Sequence, residues 1–257
     1  MDTGSRTKDM WDANLYDGNH SFVSQYGTGL IELLSPKKGE KILDLGCGTG
    51  DLAKNLAVLG ADVVGVDKSE NMVFQAQNKY PELSFLVQDI TQLSFQEDFD
   101  TVFSNATLHW VKQPEKALKS IFTCLKKGGR FVAEFGGKGN VQLITDEIIH
   151  QLGKAGFLFD RDAFPWYYPS IGEYSNLMEK IGFRVTFAQH FDRPTQLVGD
   201  DGLKNWIHMF ASDFFEGVSE DVRDSIISSV EDELKDTLYK NGHWYADYKR
   251  IRVIGVK

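Results

Sequence analysis

The chain has 257 residues, 42% of them hydrophobic, with a formal net charge of −9 and a pI near 5.2. That is core enough for one α/β domain with an insertion, and the acidity argues against nucleic acid, whose phosphates need basic patches. Two cysteines make no disulfide framework, no apolar run approaches a membrane span, and no secretory leader is read at the start, so the expectation is a cytoplasmic protein without a membrane partner, monomeric or weakly dimeric.

Residues 1–10 are polar. Trp11 to Tyr16, then His20, Phe22, Val23 and Tyr26, form a dense aromatic leader. It serves either to anchor an N-terminal helix or to close over a ligand. Gly29 to Leu34 reads as a helix stopped by Ser35-Pro36. Ile42 to Leu45 is a short apolar run closed by Gly46-Cys47-Gly48-Thr49-Gly50, which suits a strand buried on both faces and ending in a glycine turn. Leu52, Leu56 and Leu59 recur at helical spacing over Asp51 to Leu59, and Asp62 to Asp67 is a second strand. The unit is strand, glycine turn, helix, strand, with its ligand-facing turn at the carboxyl end of the first strand.

Glycines in that turn let a ligand approach the backbone, and the helix start offers unpaired N–H groups. The spacing is G-x-G-x-G, with Asp51 where a nicotinamide-binding turn carries its third glycine. Asp44, Asp51, Asp67 and Asp89 surround the crevice in this reading. Four carboxylates repel a pyrophosphate and attract a cation. S-adenosylmethionine is such a ligand, with a sulfonium, an ammonium, a ribose diol and an adenine amine.

Farther on, Ser69 caps a helix running to about Lys79 and stopped at Tyr80-Pro81. Leu83 to Val87 is the third strand, followed by Gln88-Asp89-Ile90. Phe99 to Ser104 is the fourth, continued by Asn105-Ala106-Thr107-Leu108-His109-Trp110. Pro114 opens a helix that Lys126-Lys127-Gly128-Gly129 closes with cations and a glycine cap. Arg130 to Phe135 is the fifth strand, and the Gly136 to Asn140 loop follows it. Val141 to Gly156 is helical, Phe157 to Pro169 is rich in aromatics, and Ile171 to Ile181 is a helix. Phe183 to Phe191 alternates as a strand. Two helical segments occupy 193–244, and Tyr245 to Val256 is the last strand.

DLGCGTG, then GVD, QD and SNATLHW, in that order, resemble the class I S-adenosylmethionine-dependent methyltransferases, and within them most nearly the trans-aconitate methyltransferases and related small-molecule enzymes. The resemblance implies a Rossmann-like α/β fold: a seven-stranded sheet, mostly parallel, its last strand antiparallel between the fifth and sixth, with helices on both faces and a helical cap. The division it suggests is an N-terminal lid at 1–35, a cofactor-binding core at 36–192, a cap insertion at 193–244 and a final core strand at 245–257. The trans-aconitate enzymes carry glutamine where this chain has His109, so the acceptor is left open.

For the cofactor, the resemblance implies contacts from Tyr16, His20, Asp44, Gly46, Cys47, Gly48, Asp67, Lys68, Met72, Gln88, Asp89, Ile90, Asn105 and Ala106. Asp67 lies 17 positions past Gly50, which suits a strand-end acid gripping a ribose. Met72 either packs on adenine or fills the core. Asp89 either accepts from the adenine amine or caps a short helical turn. Asn105 faces the methionine end.

Methyl transfer from a sulfonium is an in-line displacement that needs positioning and water exclusion, with no metal. Aromatic faces favour a cation without solvating it, and Trp110 and the Trp166-Tyr167-Tyr168 cluster are the candidates on the acceptor side. A carboxylate acceptor needs no base. A phenol or amine does, and His109 or His20 then takes the proton. Lys138, with Arg161 and Arg193, is either an anchor for acceptor carboxylates or a solvated charge. A silent binder of the same cofactor and a nicotinamide oxidoreductase are the alternatives.

Overall fold

The computed structural model describes residues 29–257. Tyr16, His20 and almost all of the segment read as a lid lie outside them. Residues 29–34 are helical. The strands are β1 (Lys41–Leu45), β2 (Asp62–Asp67), β3 (Ser84–Val87), β4 (Phe99–Asn105), β5 (Leu125–Gly136), β6 (Arg184–Gln196), β7 (Tyr239–Lys240) and β8 (His243–Val256). The helices are α1 (Asp51–Val58), α2 (Glu70–Lys79), α3 (Pro114–Cys124), α4 (Gln142–Lys154), α5 (Ile171–Ile181), α6 (Gly202–Phe210) and α7 (Glu220–Leu238).

The strand order is β3-β2-β1-β4-β5-β8-β6, with the short β7 antiparallel to β8. The strands β1 to β5 pair in parallel and the carboxyl-terminal ones are antiparallel, so the expected Rossmann-like sheet is borne out. Parallel strands covered on both faces must be apolar throughout, and Ile42, Leu43 and Leu45 of β1 are fully buried.

The chain divides into two compact units. One holds the residues through Phe135, with Ile171–Gln189 and Arg252–Lys257; the other holds Gly136–Ser170 with His190–Ile251. The division falls within β6 and β8 and groups 136–170 with the later helices, whereas the sequence pattern assigned 36–192 to one core.

In the first unit, Leu30, Leu34, Ile42, Leu56, Val73, Phe85 and Phe103 share one cluster of side chains. Gly65 of β2 makes room for it: a Cβ there would stand 2.5 Å from the Phe85 ring. At the amino end of the sheet, Glu40 accepts from the Thr101 hydroxyl at 2.6 Å and from the Lys37 amide at 2.8 Å, and pairs with Arg130 at 2.9 Å. Nearer the carboxyl ends, the buried Glu134 of β5 is held by Arg252 of β8. Truncating one partner strands the other charge in a low-dielectric site. Glu134→Ala is therefore expected to cost about 2–4 kcal/mol in urea unfolding, far more than loss of a solvent-exposed pair such as Glu115–Lys119.

Two expectations are corrected. The basic Lys126-Lys127 pair does not close α3. The helix ends at Cys124, and the buried Leu125 is already extended and begins β5. The Lys126 ammonium reaches the Asp100 carboxylate at 2.8 Å, and Gly128, at φ 80°, donates its N–H to the Lys257 carbonyl. Strand pairing outcompetes the helix dipole for these residues. The sixth strand runs to Gln196 rather than Phe191, because its ladder continues through Asp192 and Arg193.

In the second unit, α4 and α7 pack together and α6 packs on α7. Phe159 stacks on Phe214 at 4.6 Å. Trp166 stacks on Tyr168 at 5.6 Å and tilts against Trp206 and Phe214. From the aromatic run of 157–169, Trp166 is buried among these rings, while Leu158 and residues 160–163 are exposed.

Candidate functional site

The carboxyl ends of β1, β2 and β4 converge on the glycine turn. Gly46, Gly48 and Gly50 have φ of 72°, 53° and 89°, the left-handed region that only glycine enters freely. At Gly46 there is a second reason. A Cβ there would lie 2.1 Å from the Thr107 hydroxyl oxygen and 2.6 Å from its Cβ. Thr107 seals the turn against β4 by donating to the Asn105 carbonyl at 3.0 Å and to the Gly46 carbonyl at 3.3 Å. A Cβ at Gly48, by contrast, would meet nothing within 4 Å among the described residues. Gly50 caps α1, which begins at Asp51.

Asp67 at the tip of β2 braces this turn. One oxygen accepts from the Gly48 N–H at 3.0 Å, the other from the Ser69 N–H at 2.9 Å. Ser69 caps α2 through the Met72 N–H at 3.2 Å, and Met72 is buried.

Asp44 is the unusual group. It is 2% exposed, and its Oδ2 has no hydrogen-bond partner. Burial, and then the charge of Asp67, push its carboxyl up to about 7. The Cys47 thiol beside them is pushed well up as well, by burial first and then by Asp44 and Asp67, so it stays protonated and is no nucleophile. An orphaned carboxylate oxygen beside a second carboxylate is an arrangement that a cation completes.

Asp89 behaves as a cap. Its Oδ1 accepts from the Thr91 amide at 2.8 Å and hydroxyl at 2.7 Å, opening a 3₁₀ turn at Ile90–Gln92, and Lys68 lies 3.1 Å from Oδ2. Burial alone would raise its carboxyl; the Thr91 donors and the Lys68 ammonium outweigh that and hold it below the usual range. The Gln88 side chain accepts from the Ser94 N–H, and Ile90 is buried. Asp51 leaves the crevice altogether: its carboxylate takes the Tyr80 hydroxyl at 2.6 Å and the Lys79 ammonium at 2.7 Å. The cradle is made by the strand-tip acids, not by four.

On β4, Asn105 is buried, and Ala106 has φ 55° while donating its N–H to the Glu134 carbonyl at 2.8 Å. A non-glycine residue in that conformation at a strand tip is strained, a feature that gathers at functional sites. His109 and Trp110 follow in a 3₁₀ turn, their rings 5.6 Å apart, with His109 buried.

A methyltransferase-domain family model matches residues 43–133, which contain this whole constellation. An uncharacterized methyltransferase of the fission yeast Schizosaccharomyces pombe is 32% identical over 261 residues, covering 97% of this chain and 99% of that protein. The chain belongs to the class I S-adenosylmethionine-dependent methyltransferases. A malonyl-[acyl-carrier protein] O-methyltransferase of Priestia megaterium is 31% identical over 165 residues, 63% of this chain and 58% of that enzyme. The YcgJ protein of Bacillus subtilis shares the fold, with a TM-score of 0.63 at 21% identity over 91% of this chain and 98% of that one. Membership in this methyltransferase family sets aside the nicotinamide alternative.

The residues read as acceptor-side contacts, other than Trp110, lie in this methyltransferase's second unit. Lys138 is exposed, donates its amide to the Pro169 carbonyl and accepts at its own carbonyl from the His190 ring. Trp166 is buried in the aromatic core and Tyr167 is half-buried. Arg161 is exposed, and Arg193 stacks on Phe191 at 5.0 Å. Thr107 escaped the sequence reading. Only a glycine that cannot be explained by its turn alone would have pointed to it.

Proposed function

We propose that this protein binds S-adenosylmethionine at the β1, β2 and β4 tips and transfers its methyl group to a small-molecule acceptor in the cytoplasm. The observation that carries the proposal is the buried Asp44 carboxylate, whose Oδ2 lacks a partner, coupled to Asp67 beside a glycine turn where a Cβ at Gly48 would meet nothing within 4 Å among the described residues. These residues fit the group. Asp44 holds its cationic amino-acid end. The Asp67 carboxylate takes the ribose hydroxyls. Gly46, Cys47 and Gly48 let it close on the backbone, with Asn105 and Ala106 beside its methionine part. Met72, Gln88, Asp89 and Ile90 flank the adenine, and Lys68 keeps the Asp89 carboxylate ionised and oriented. When bound, the cofactor supplies an electrophilic methyl on a positively charged sulfur.

What the chain itself does is position and shield. His109, buried beside Trp110, is placed to receive a proton from a phenol or amine acceptor. An acceptor carboxylate attacks as the anion and asks nothing of it. Carboxylate O-methylation is the finer reading. It is supported by the resemblance to trans-aconitate methyltransferases and by the O-methyltransferase among the relatives.

The first test is thermal-shift titration, in which S-adenosylhomocysteine should stabilise the protein and NAD should not. Asp67→Ala should then weaken S-adenosylhomocysteine binding by about tenfold or more, since it removes two acceptor atoms and unbraces the turn. An unchanged affinity would move the ribose contact elsewhere. Transfer of labelled methyl groups to a metabolite panel separates an enzyme from a silent binder.

A further inference from the structure

In the second unit, β8 alternates between buried and half-open positions from Trp244 to Arg250. Trp244, Ala246 and Tyr248 occupy the buried face and Arg250 is the last residue of that row, next to the buried Ile251, where burial passes to the other face of the pleat. A guanidinium therefore ends a row that is otherwise free of charge. Arg250 is 8% exposed. Its Nε has no hydrogen-bond partner, and among the described residues no carboxylate lies within salt-bridge distance of it. Its guanidinium stacks over the Tyr248 ring at 4.6 Å.

Tyr248 has its own unspent donor. Its hydroxyl oxygen accepts from the Trp206 indole N–H at 2.7 Å, yet among the described residues its O–H proton meets no acceptor. Burial pushes the Tyr248 phenol up, so it remains protonated at neutral pH and able to donate. Tyr168 adjoins the pair, close enough for the Arg250 charge to act on its buried phenol, and it is held by the Asn140 amide, whose oxygen takes the Lys249 N–H at 2.9 Å. Trp166 stacks on Tyr168 and Phe164 packs edge-on against both.

Two buried donors without an acceptor, set among aromatic rings, lack one thing, an oxyanion. We infer that Arg250 and Tyr248 form a binding site for a carboxylate monoanion within the second unit, and that the aromatic side chains around them select a ligand with an apolar body. One guanidinium supplies one positive charge, which matches a carboxylate monoanion. A phosphate dianion would need further cations, and Lys138 and Arg161 are both exposed.

The site makes a prediction that a structural arginine would not. An unsatisfied buried charge destabilises the free protein, so replacing it with an apolar side chain of similar length should be neutral or stabilising. The experiment uses the full chain saturated with S-adenosylhomocysteine. Phenylacetate, benzoate, succinate, trans-aconitate and inorganic phosphate are the probes, with phenylacetamide and benzamide as neutral controls. Melting temperature is read for wild type, Arg250→Met and Arg250→Lys. The expected result is stabilisation of wild type by at least one carboxylate and by neither amide. Arg250→Met should lose that response and melt no lower than wild type without probe. Arg250→Lys keeps the charge but not the fork and should bind the same probe about tenfold more weakly. Stabilisation by phosphate alone, no response to any carboxylate, or an Arg250→Met protein that melts lower yet still answers carboxylates would each overturn the site. If S-adenosylhomocysteine itself fails to bind wild type, it is the cofactor reading that falls, and that control is scored before any probe is added.

Discussion

Gly46→Ala is expected to lose about 3–5 kcal/mol of stability in urea unfolding and about 100-fold or more in S-adenosylhomocysteine affinity. Two causes add. A Cβ at φ 72° costs about 1–2 kcal/mol by itself. It would also stand 2.1 Å from the Thr107 hydroxyl and 2.6 Å from the Thr107 Cβ. No rotamer of Thr107 moves its Cβ, so the tip of β1 must separate from the tip of β4. That separation breaks the Thr107 bonds to Gly46 and Asn105 and drags the Asp44–Asp67 cradle out of register. A double substitution, Gly46→Ala with Thr107→Gly, removes the overlap and leaves only the backbone strain, so it should recover about 2 kcal/mol relative to the sum of the singles. Strict additivity would show that the clash is relieved some other way. Gly48→Ala is the control: it shares the positive φ, but its Cβ meets nothing within 4 Å among the described residues, so it should cost only about 1–2 kcal/mol.

These contrasts mark what could and could not be read from the residues. A buried parallel strand announces itself by an unbroken apolar run, and a helix by its cap and its period. Hence β2 at Asp62–Asp67, α5 at Ile171–Ile181 and the Ser69 cap stand where the pattern placed them. The order of the acids along the chain likewise located the strand tips. The pattern is silent on partners far apart in sequence. Asp51 looks like a cradle acid until Tyr80 and Lys79 are seen to claim it, 29 and 28 residues away. Lys126 and Lys127 look like a helix cap until the pairing of β5 with β4 draws Leu125 into the sheet. Thr107 and Gly46 are 61 residues apart, and nothing local links them. Arg250 reads as one more cation in a strand until its face of the pleat is known. Composition and period report on a residue's own element. The site depends on which elements meet.

The second large effect concerns pH. Burial first, and the Asp67 charge second, push the Asp44 carboxyl up to about 7 in the folded protein, from an ordinary 3.8. Its proton is therefore bound by the folded chain and lost by the unfolded chain between about pH 4 and pH 7. The contribution of Asp44 to stability is greatest below that window, falls as pH rises through it, and levels off above 7. Three pK units correspond to about 4 kcal/mol, an upper figure for a group whose surroundings can relax. Ligand affinity should run the other way. A cationic amino-acid end binds the ionised carboxylate, so S-adenosylhomocysteine affinity should rise by up to about tenfold per pH unit from 5.5 towards 7 and then flatten. Asp44→Asn keeps the shape and removes the titration. It should flatten both profiles together, raise ligand-free stability above pH 7 and weaken binding there. Calorimetric titration at half-unit steps, paired with urea unfolding at the same pH values, measures both slopes. Opposite slopes that vanish in one variant identify a single proton shared between folding and binding. A wild-type affinity that is level from pH 5.5 to 8, or an Asp44→Asn protein that keeps the slope, would place the cofactor's charge against some other group.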